Sequence, residues 1–379
     1  MQKIVYLDHS ATTPLDNRVL EKMLPYMTSD FGNANSLHSF GRRAIDAVDQ
    51  SRDTVATLIG AKPNEIYFTS GGSEGDSWAI KSVAKCYRDK GNQIIITPIE
   101  HPALYSSAMD LVNEGFVVDF MKVDNEGKVD LEHLKSIVSQ NTIFVGAMMA
   151  NNEIGTIEPI KEIAKVAKSV GAISFTDAVQ TTGSINYDVK DLGVDMLSMS
   201  AHKFYGPKGV GALYIKNGVK ISPIIFGGHQ ERAKRGGTTN VAGVVGMATA
   251  LRLALLERED NALKTKTARD LFVSEVKKAL PFVKINGAED KLVSNASITF
   301  SGVSGEALLY NLDLNGVCAS NGSACSTGSI EPSRTLIEIG LLNEDAKSTV
   351  RFSFGKDNTV EDALYAVKCV IECVNKIKK

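Results

Sequence analysis

Through its first 215 residues the chain changes hydrophobic period again and again, from short apolar runs to helical spacing and back. Runs at residues 65–69, 93–97, 142–149, 172–176, 194–199 and 210–215 are short and bounded by glycine or polar residues, so they read as strands. Between them the apolar positions fall three and four apart. Ala44, Ala47, Val48, Val55, Leu58 and Ile59 share one helical face, closed by Gly60. Ile80, Val83, Ala84 and Tyr87 share another that ends at Gly91, and Ile160, Ile163, Ala164 and Ala167 a third that ends at Gly171. Strands alternating with helices of this length predict βαβ units, hence an α/β fold with a mostly parallel sheet covered on both faces. In such sheets ligands gather at the carboxyl ends of the strands.

The pattern weakens after a glycine-rich stretch at residues 227–239. Residues 242–259 read as a long helix between two domains, 268–280 as a helix and 296–300 as a strand. In residues 349–355, Val350, Phe352 and Phe354 alternate with Arg351 and Ser353, which puts Arg351 on the face opposite the phenylalanines. A final helix from Thr359 has Leu364, Val367, Val370, Ile371 and Val374 as its apolar positions, with Cys369 and Cys373 as packing residues. The first fifteen residues read as an extended arm. A chain of 379 residues is long for one core. The expected division is a large domain over 16–258 and a smaller α+β domain made of 1–15 and 259–379.

A net charge of −2, with both signs spread along the chain, argues against nucleic acid or an anionic membrane as the main partner. No apolar run approaches the roughly 18 residues that span a bilayer, and the opening MQKIVYLDHSATT lacks a signal-peptide apolar core, which points to the cytoplasm. Cys86, Cys318, Cys325, Cys369 and Cys373 form an odd, scattered set that suits a reducing compartment.

Candidate chemistry concentrates at strand ends. Lys203 lies in a glycine-punctuated turn between two apolar runs, SAHKFYGPKGVG. A lone lysine is ordinarily a solvated surface charge; one shielded between packed strands would lose solvation, and its amine could then attack a carbonyl. The Ser70-Gly71-Gly72-Ser73-Glu74 stretch joins a strand to a helix and can hold a phosphate on free N–H groups, or Ser73 and Asp76 can form an ordinary capping box. No Gly-Lys-Ser/Thr follows and no GxGxxG accompanies it, so the phosphate is not a nucleotide's. Asp177 ends a strand, where it can cap a helix or hold a protonated pyridine nitrogen. His101 follows a strand by a few residues and can be structural or stack on such a ring. Cys325, in SNGSACSTGS, has polar surroundings unlike a core and can act as a thiolate nucleophile. Metal spacing is absent: there is no HExxH and no CxxC pair.

Taken together, YLDHSATTP (6–14), TSGGSE (69–74), EHPA (100–103), NNEIG (151–155), TDAVQ (176–180), SAHKFYGPKGVG (200–211), RGGT (235–238) and GSACSTGSIEPS (322–333) resemble the pyridoxal-phosphate-dependent cysteine desulfurases of the NifS and IscS type. The resemblance implies the type I fold of pyridoxal-phosphate transferases in its class V aminotransferase form, and a homodimer with sites near the subunit interface. It implies conversion of L-cysteine to L-alanine, with Lys203 as the lysine bonded to pyridoxal 5'-phosphate and Cys325 as the persulfide-bearing nucleophile. His101 matches the stacking, proton-moving histidine and Asp177 the ring-nitrogen partner, while Gln180 and Asn152 match contacts near the ring oxygen. Gly72, Ser73, Ser200 and His202 match the phosphate cradle, with Thr238 lent by the other subunit. Arg351 matches the grip on the substrate carboxylate, and Asn33 and Asn152 the lining of that end. The longer GSACSTG form is that of desulfurases that hand sulfur to a scaffold protein, so a sulfur acceptor such as an iron–sulfur scaffold is the implied partner. Ser73 in place of the usual threonine keeps a hydroxyl, whereas Gly75, Ser77 and Ala34 depart from the usual residues. A selenocysteine lyase or another class V aminotransferase would share this cofactor site, and a non-catalytic sulfur carrier would need only Cys325.

Overall fold

Because the apolar runs have to bury both faces, they fold as strands of one covered sheet. A computed structural model describes residues 3–321 and 332–378. Its strands in chain order are β1 (Val5–Tyr6), β2 (Ile66–Thr69), β3 (Gln93–Ile96), β4 (Val117–Phe120), β5 (Thr142–Gly146), β6 (Ile173–Asp177), β7 (Met196–Ser200), β8 (Gly211–Ile215), β9 (Lys284–Ile285), β10 (Asn295–Thr299), β11 (Val317–Cys318) and β12 (Thr349–Ser353). The main sheet has the order β2-β8-β7-β6-β5-β3-β4. Strands β4, β3, β5, β6 and β7 run parallel, and β8 runs antiparallel to both β7 and β2.

Alternate side chains sort the sheet's two faces. Ile95, Val145, Leu197 and Met199 pack into one core with buried residues of the helices Ser39–Leu58, Ile160–Ser169 and Val241–Leu256. Ile94, Ile96, Phe144, Phe175 and Met196 pack into another under the helices Gly72–Tyr87 and Pro102–Val112. With both faces covered, apolar residues occur on both sides of the strands, as the short apolar runs in the sequence require.

A further core forms around the antiparallel sheet β12-β10-β9 and the helices Arg258–Ala279 and Val360–Ile377. Phe272 stacks against Phe352 and Phe354 with ring centroids 4.8 and 5.5 Å apart, and Cys369 and Cys373 are buried in the same cluster, as expected of packing residues. The N-terminal arm joins this core: β1 pairs in parallel with β11, and Val5 and Leu7 are buried there. The last helix begins with Thr359 and Asp362 as a reciprocal capping box.

Several elements differ from the sequence reading. A helix at Asn17–Thr28, capped by Asp16, follows the arm where none was predicted; Pro14 and Pro25 obscure its pattern, and only Val19 and Met23 are buried. The helix expected at 268–280 begins ten residues earlier, at Arg258. Its buried side chains are Thr265, Ala268, Phe272 and Val276, a thin stripe on an otherwise polar cylinder.

Replacing a fully enclosed ring removes burial and leaves a void. Phe272→Ala is expected to lower the unfolding free energy by about 3–5 kcal/mol, read as a reduced urea midpoint at unchanged slope.

Candidate active site

The carboxyl ends of β3, β5, β6 and β7 meet at one cavity of about 360 Å³. After Ser200 the chain turns through Ala201–Lys203 and returns as β8. The return strand opens on Gly211 because the Gly71 backbone lies against it: a Cβ at Gly211 would meet Gly71 Cα at 2.7 Å. Lys203 therefore occupies the turn foreseen for it, and its Nζ donates to the carbonyls of Ser10 and Ala11, the latter at 2.8 Å. The arm is laced down beside it, since Thr13 donates from both N and Oγ1 to the His202 carbonyl at 3.0 Å.

The helix Gly72–Tyr87 begins with no side-chain cap, so the capping-box alternative for Ser73 and Asp76 fails. Asp76 instead points back to the sheet, where Ser198 Oγ donates to it. Free N–H groups at this helix start open onto the cavity between Ser73, Ser200 and His202. Gly72 has to be glycine, for its Cβ would come within 2.6 Å of Val179 Cγ2.

Asp177 and Asp76 are a buried carboxyl pair, 5% and 1% exposed. Burial raises both, and the charge of Asp177 pushes Asp76 up further. Asp177 is the one that ionises: it is pushed up only to about 6, because the Val179 N–H donates to its Oδ1 at 2.8 Å and Lys203 lies near. Asp76 keeps its proton. Glu100 is pushed up to about 8 by burial, despite the Met148 N–H donating to it at 2.9 Å. Of these three acids, Asp177 is thus the one that carries a negative charge most readily.

His101 caps the helix Pro102–Val112, its Nδ1 accepting from the Ala103 N–H at 3.2 Å. A ring nitrogen that accepts carries no proton, so the neutral imidazole holds its hydrogen on Nε2. Burial first, then the charges of Lys203 and Arg334, push His101 down to about 4; His202 is likewise pushed down to about 4 by burial and by Lys203 and Lys208. Both rings are neutral at physiological pH. Arg351, 1% exposed, lies on the face of β12 away from the phenylalanines, as its alternation predicted. Its Nη2 donates to Asp8 Oδ1 at 2.8 Å and its Nη1 to the Asn152 carbonyl at 3.1 Å.

Gly72, Ser73, His101, Asn152, Asp177, Gln180, Ser200, His202, Lys203 and Arg351 all line this cavity. Asn33 and Thr238 do not; both are exposed elsewhere on the chain. Cys325 lies outside the described residues. Sequence reasoning gave no site role to Asp8, Asp76, Glu100, Glu153 or Arg334, although Asp8, Glu100 and Glu153 lie inside the quoted motifs and Arg334 directly follows one; Asp76 had only its capping-box spacing.

The sequence matches the class V aminotransferase family over residues 5–365. The chain belongs to that family. Among curated relatives it is 49% identical to the cysteine desulfurase IscS of Clostridium botulinum strain Hall over 382 aligned residues, covering 100% of this chain and 95% of the relative. Among solved structures it is similar to a NifS-like protein (TM-score 0.93, 37% identity, 99% and 100% of the two chains covered). It is similar as well to SspA in complex with cysteine (TM-score 0.82, 31% identity, 93% and 99% covered).

This class V aminotransferase depends on pyridoxal 5'-phosphate, and the cavity fits it. A neutral phosphate cradle closed by a glycine that admits no Cβ, a buried anion, an amine on a short turn and a flat neutral imidazole surround a space of suitable size for a ring and its phosphate.

The buried acids carry a pH signature. Glu100 stays protonated when folded but ionises near 4.5 when unfolded, so its contribution to stability declines as pH rises from about 4.5 through about 8. Glu100→Gln, neutral throughout, is expected to gain on the parent across that window by at most about 1.4 kcal/mol per pH unit. Urea midpoints of the two proteins at about pH 5 and about pH 8 check it: equal offsets at both would refute the buried neutral acid.

Proposed function

We propose that the protein is a cysteine desulfurase that converts L-cysteine to L-alanine and retains the sulfur as a persulfide on Cys325. The observation that carries this is the convergence of Lys203, Asp177, His101 and Arg351 on one cavity, in a chain so close to proteins named cysteine desulfurase. The cofactor supplies an electron sink for the bond that must break at the substrate α-carbon. Lys203 would hold its aldehyde end, and its amine is placed to take and return a proton at the substrate α-carbon. Asp177 keeps the proton of the ring nitrogen in place, the helix start with Ser73, Ser200 and His202 holds the phosphate, and Gln180 and Asn152 serve the ring's polar edge. His101 lies flat and neutral, donating from Nε2. Arg351 takes the substrate carboxylate in exchange for Asp8, a two-pronged contact that a lysine could not make.

In the sulfur step, the Cys325 thiolate attacks the substrate sulfur. The new S–S bond forms as the C–S bond breaks, the carbon keeps the bonding electrons and a proton replaces sulfur on it, so cysteine plus thiol gives alanine plus persulfide. The fates we assign to the persulfide are an acceptor protein such as an iron–sulfur scaffold, and to the enzyme a place in the cytoplasm.

We read residues 16–258 as the large domain and 1–15 with 259–379 as the small one, supported by the separate core that gathers Val5 and Leu7 with Phe272, Phe352 and Val370. The same reading makes the protein a homodimer. Leu20, Leu24, Met27, Phe31, Leu37 and Phe226 are exposed, more apolar surface than a lone subunit needs, and Thr238 is exposed on the segment that would reach the partner's phosphate cradle.

Purified protein loaded with pyridoxal phosphate should show the cofactor's visible band and release sulfide from cysteine in the presence of a thiol. Cys325→Ala should keep the band and lose sulfide release by at least about a hundredfold. Lys203→Ala should lose turnover and the pyridoxyl mark that borohydride leaves on that lysine. Sulfide release by Cys325→Ala at the parent rate would sink the assigned nucleophile.

A further inference from the structure

The short helix Arg334–Glu338 begins beside the cavity, with Ser333 Oγ donating to the Glu153 carboxylate. Its first residue turns away from its own helix. Arg334 Nε donates to the Pro98 carbonyl at 2.7 Å and Nη2 to the Glu100 carbonyl at 2.5 Å, and the guanidinium carbon lies 3.5 Å from the centre of the Tyr105 ring. Those contacts enclose His101. Pro98 and Glu100 belong to the turn that delivers it, and Tyr105 lies one turn into the helix that His101 caps.

We propose that Arg334 is a positioning residue for His101: it grips the turn before the imidazole and the helix after it, and sets a fixed positive charge beside the ring. Three contacts to two sides of one residue are what a planar fork can make and an ammonium cannot. The stacking on Tyr105 orients the fork, and the two carbonyls hold the backbone on which the Nδ1 cap depends. The charge works in the same sense as the cap. Each disfavours a second proton on the ring, so His101 remains a neutral donor.

Other charges face the same space. Lys203 and His202 come from the turn after β7 and Arg351 from β12, and Asp76, Glu100, Glu153 and Asp177 are the carboxyls around the cavity. Of these, burial keeps Asp76 and Glu100 protonated, so they do not offset Arg334. Lys203 and Arg334 are the charges that act on the ring after burial itself.

The inference rests on reading His101 as a cofactor-facing group; its titration is read on the substrate-free protein and needs no turnover, so a failure there and a failure of the desulfurase reading are separate results. Ring-13C-histidine protein, with His101 assigned through His101→Asn, gives the titration directly by NMR. In the parent His101 should stay neutral down to about pH 5. In Arg334→Gln its apparent pKa should rise by about one unit. Arg334→Lys, which keeps the charge and loses the fork, should leave that titration within a few tenths while kcat falls about tenfold and KM for cysteine holds. A purely structural role would lower the melting temperature of both variants and move neither the titration nor kcat selectively. His101 titrating alike in parent and Arg334→Gln, or an Arg334→Lys enzyme with the parent's kcat, would overturn the proposal.

Discussion

One strip of backbone sets the site. The arm from Val5 to Thr13 is bound on one side to the smaller core, through β1 and the Ser353 N–H donating to the Leu7 carbonyl at 2.7 Å. On the other it is bound to the turn after β7, through Thr13 and His202. Between those moorings it presents the carbonyls of Ser10 and Ala11 to the Lys203 ammonium and the carboxylate of Asp8 to Arg351. The amine and the guanidinium are carried by different sheets, yet one short segment positions both. A shift of the small sheet relative to the large one therefore moves the carboxylate-binding end and the amine's resting place together.

Electrostatics complete what the arm begins. Packing many carboxyls around a closed cavity would be costly if all were charged, because removing each from water disfavours its anion. The cavity resolves this by difference of environment. Asp177 receives a backbone N–H and the nearby lysine, while Asp76 faces a hydroxyl and Glu100 has one oxygen without a hydrogen-bond partner. Of these three, Asp177 is the one left charged, at the point where a cationic ring nitrogen would need it. The neutral imidazoles of His101 and His202 follow the same rule with the opposite sign, for burial beside Lys203 removes their second proton.

The parts that could be read from sequence are those whose signal is local. Six of the seven strands of the main sheet (all but β4), the turn holding Lys203, the strand end at Asp177 and the opposite facing of Arg351 and Phe352 follow from period and punctuation alone. What escaped was long-range or masked by composition. The antiparallel run of β8 depends on which strand it meets. The helix Asn17–Thr28 buries little and contains a proline. Asp8 gained its role only when an N-terminal residue met one 343 positions away, and Asp76, placed in a capping box by local spacing, found Ser198 on the sheet instead. Family motifs named residues that line the cavity but not their supports. Arg334 and Glu153 sat beside or inside quoted motifs, and only packing showed what they touch.

The pairing of Arg351 with Asp8 bears on how an open site survives without substrate. A guanidinium so deeply buried would destabilise the fold by several kcal/mol if it lacked a counter-charge. Asp8 supplies one, and its side chain remains 19% exposed against 2% for Arg351. If a substrate carboxylate takes the place of Asp8, as proposed, the exchange is lopsided: the arginine stays dry and paired throughout, while the displaced aspartate can rehydrate at the edge. Binding replaces one ion pair by another rather than forming a new one, so the net gain from the charge contact is modest and selection falls on geometry. A ligand gains most when its carboxylate meets the fork while its amine reaches Lys203, a span that the arm itself has set.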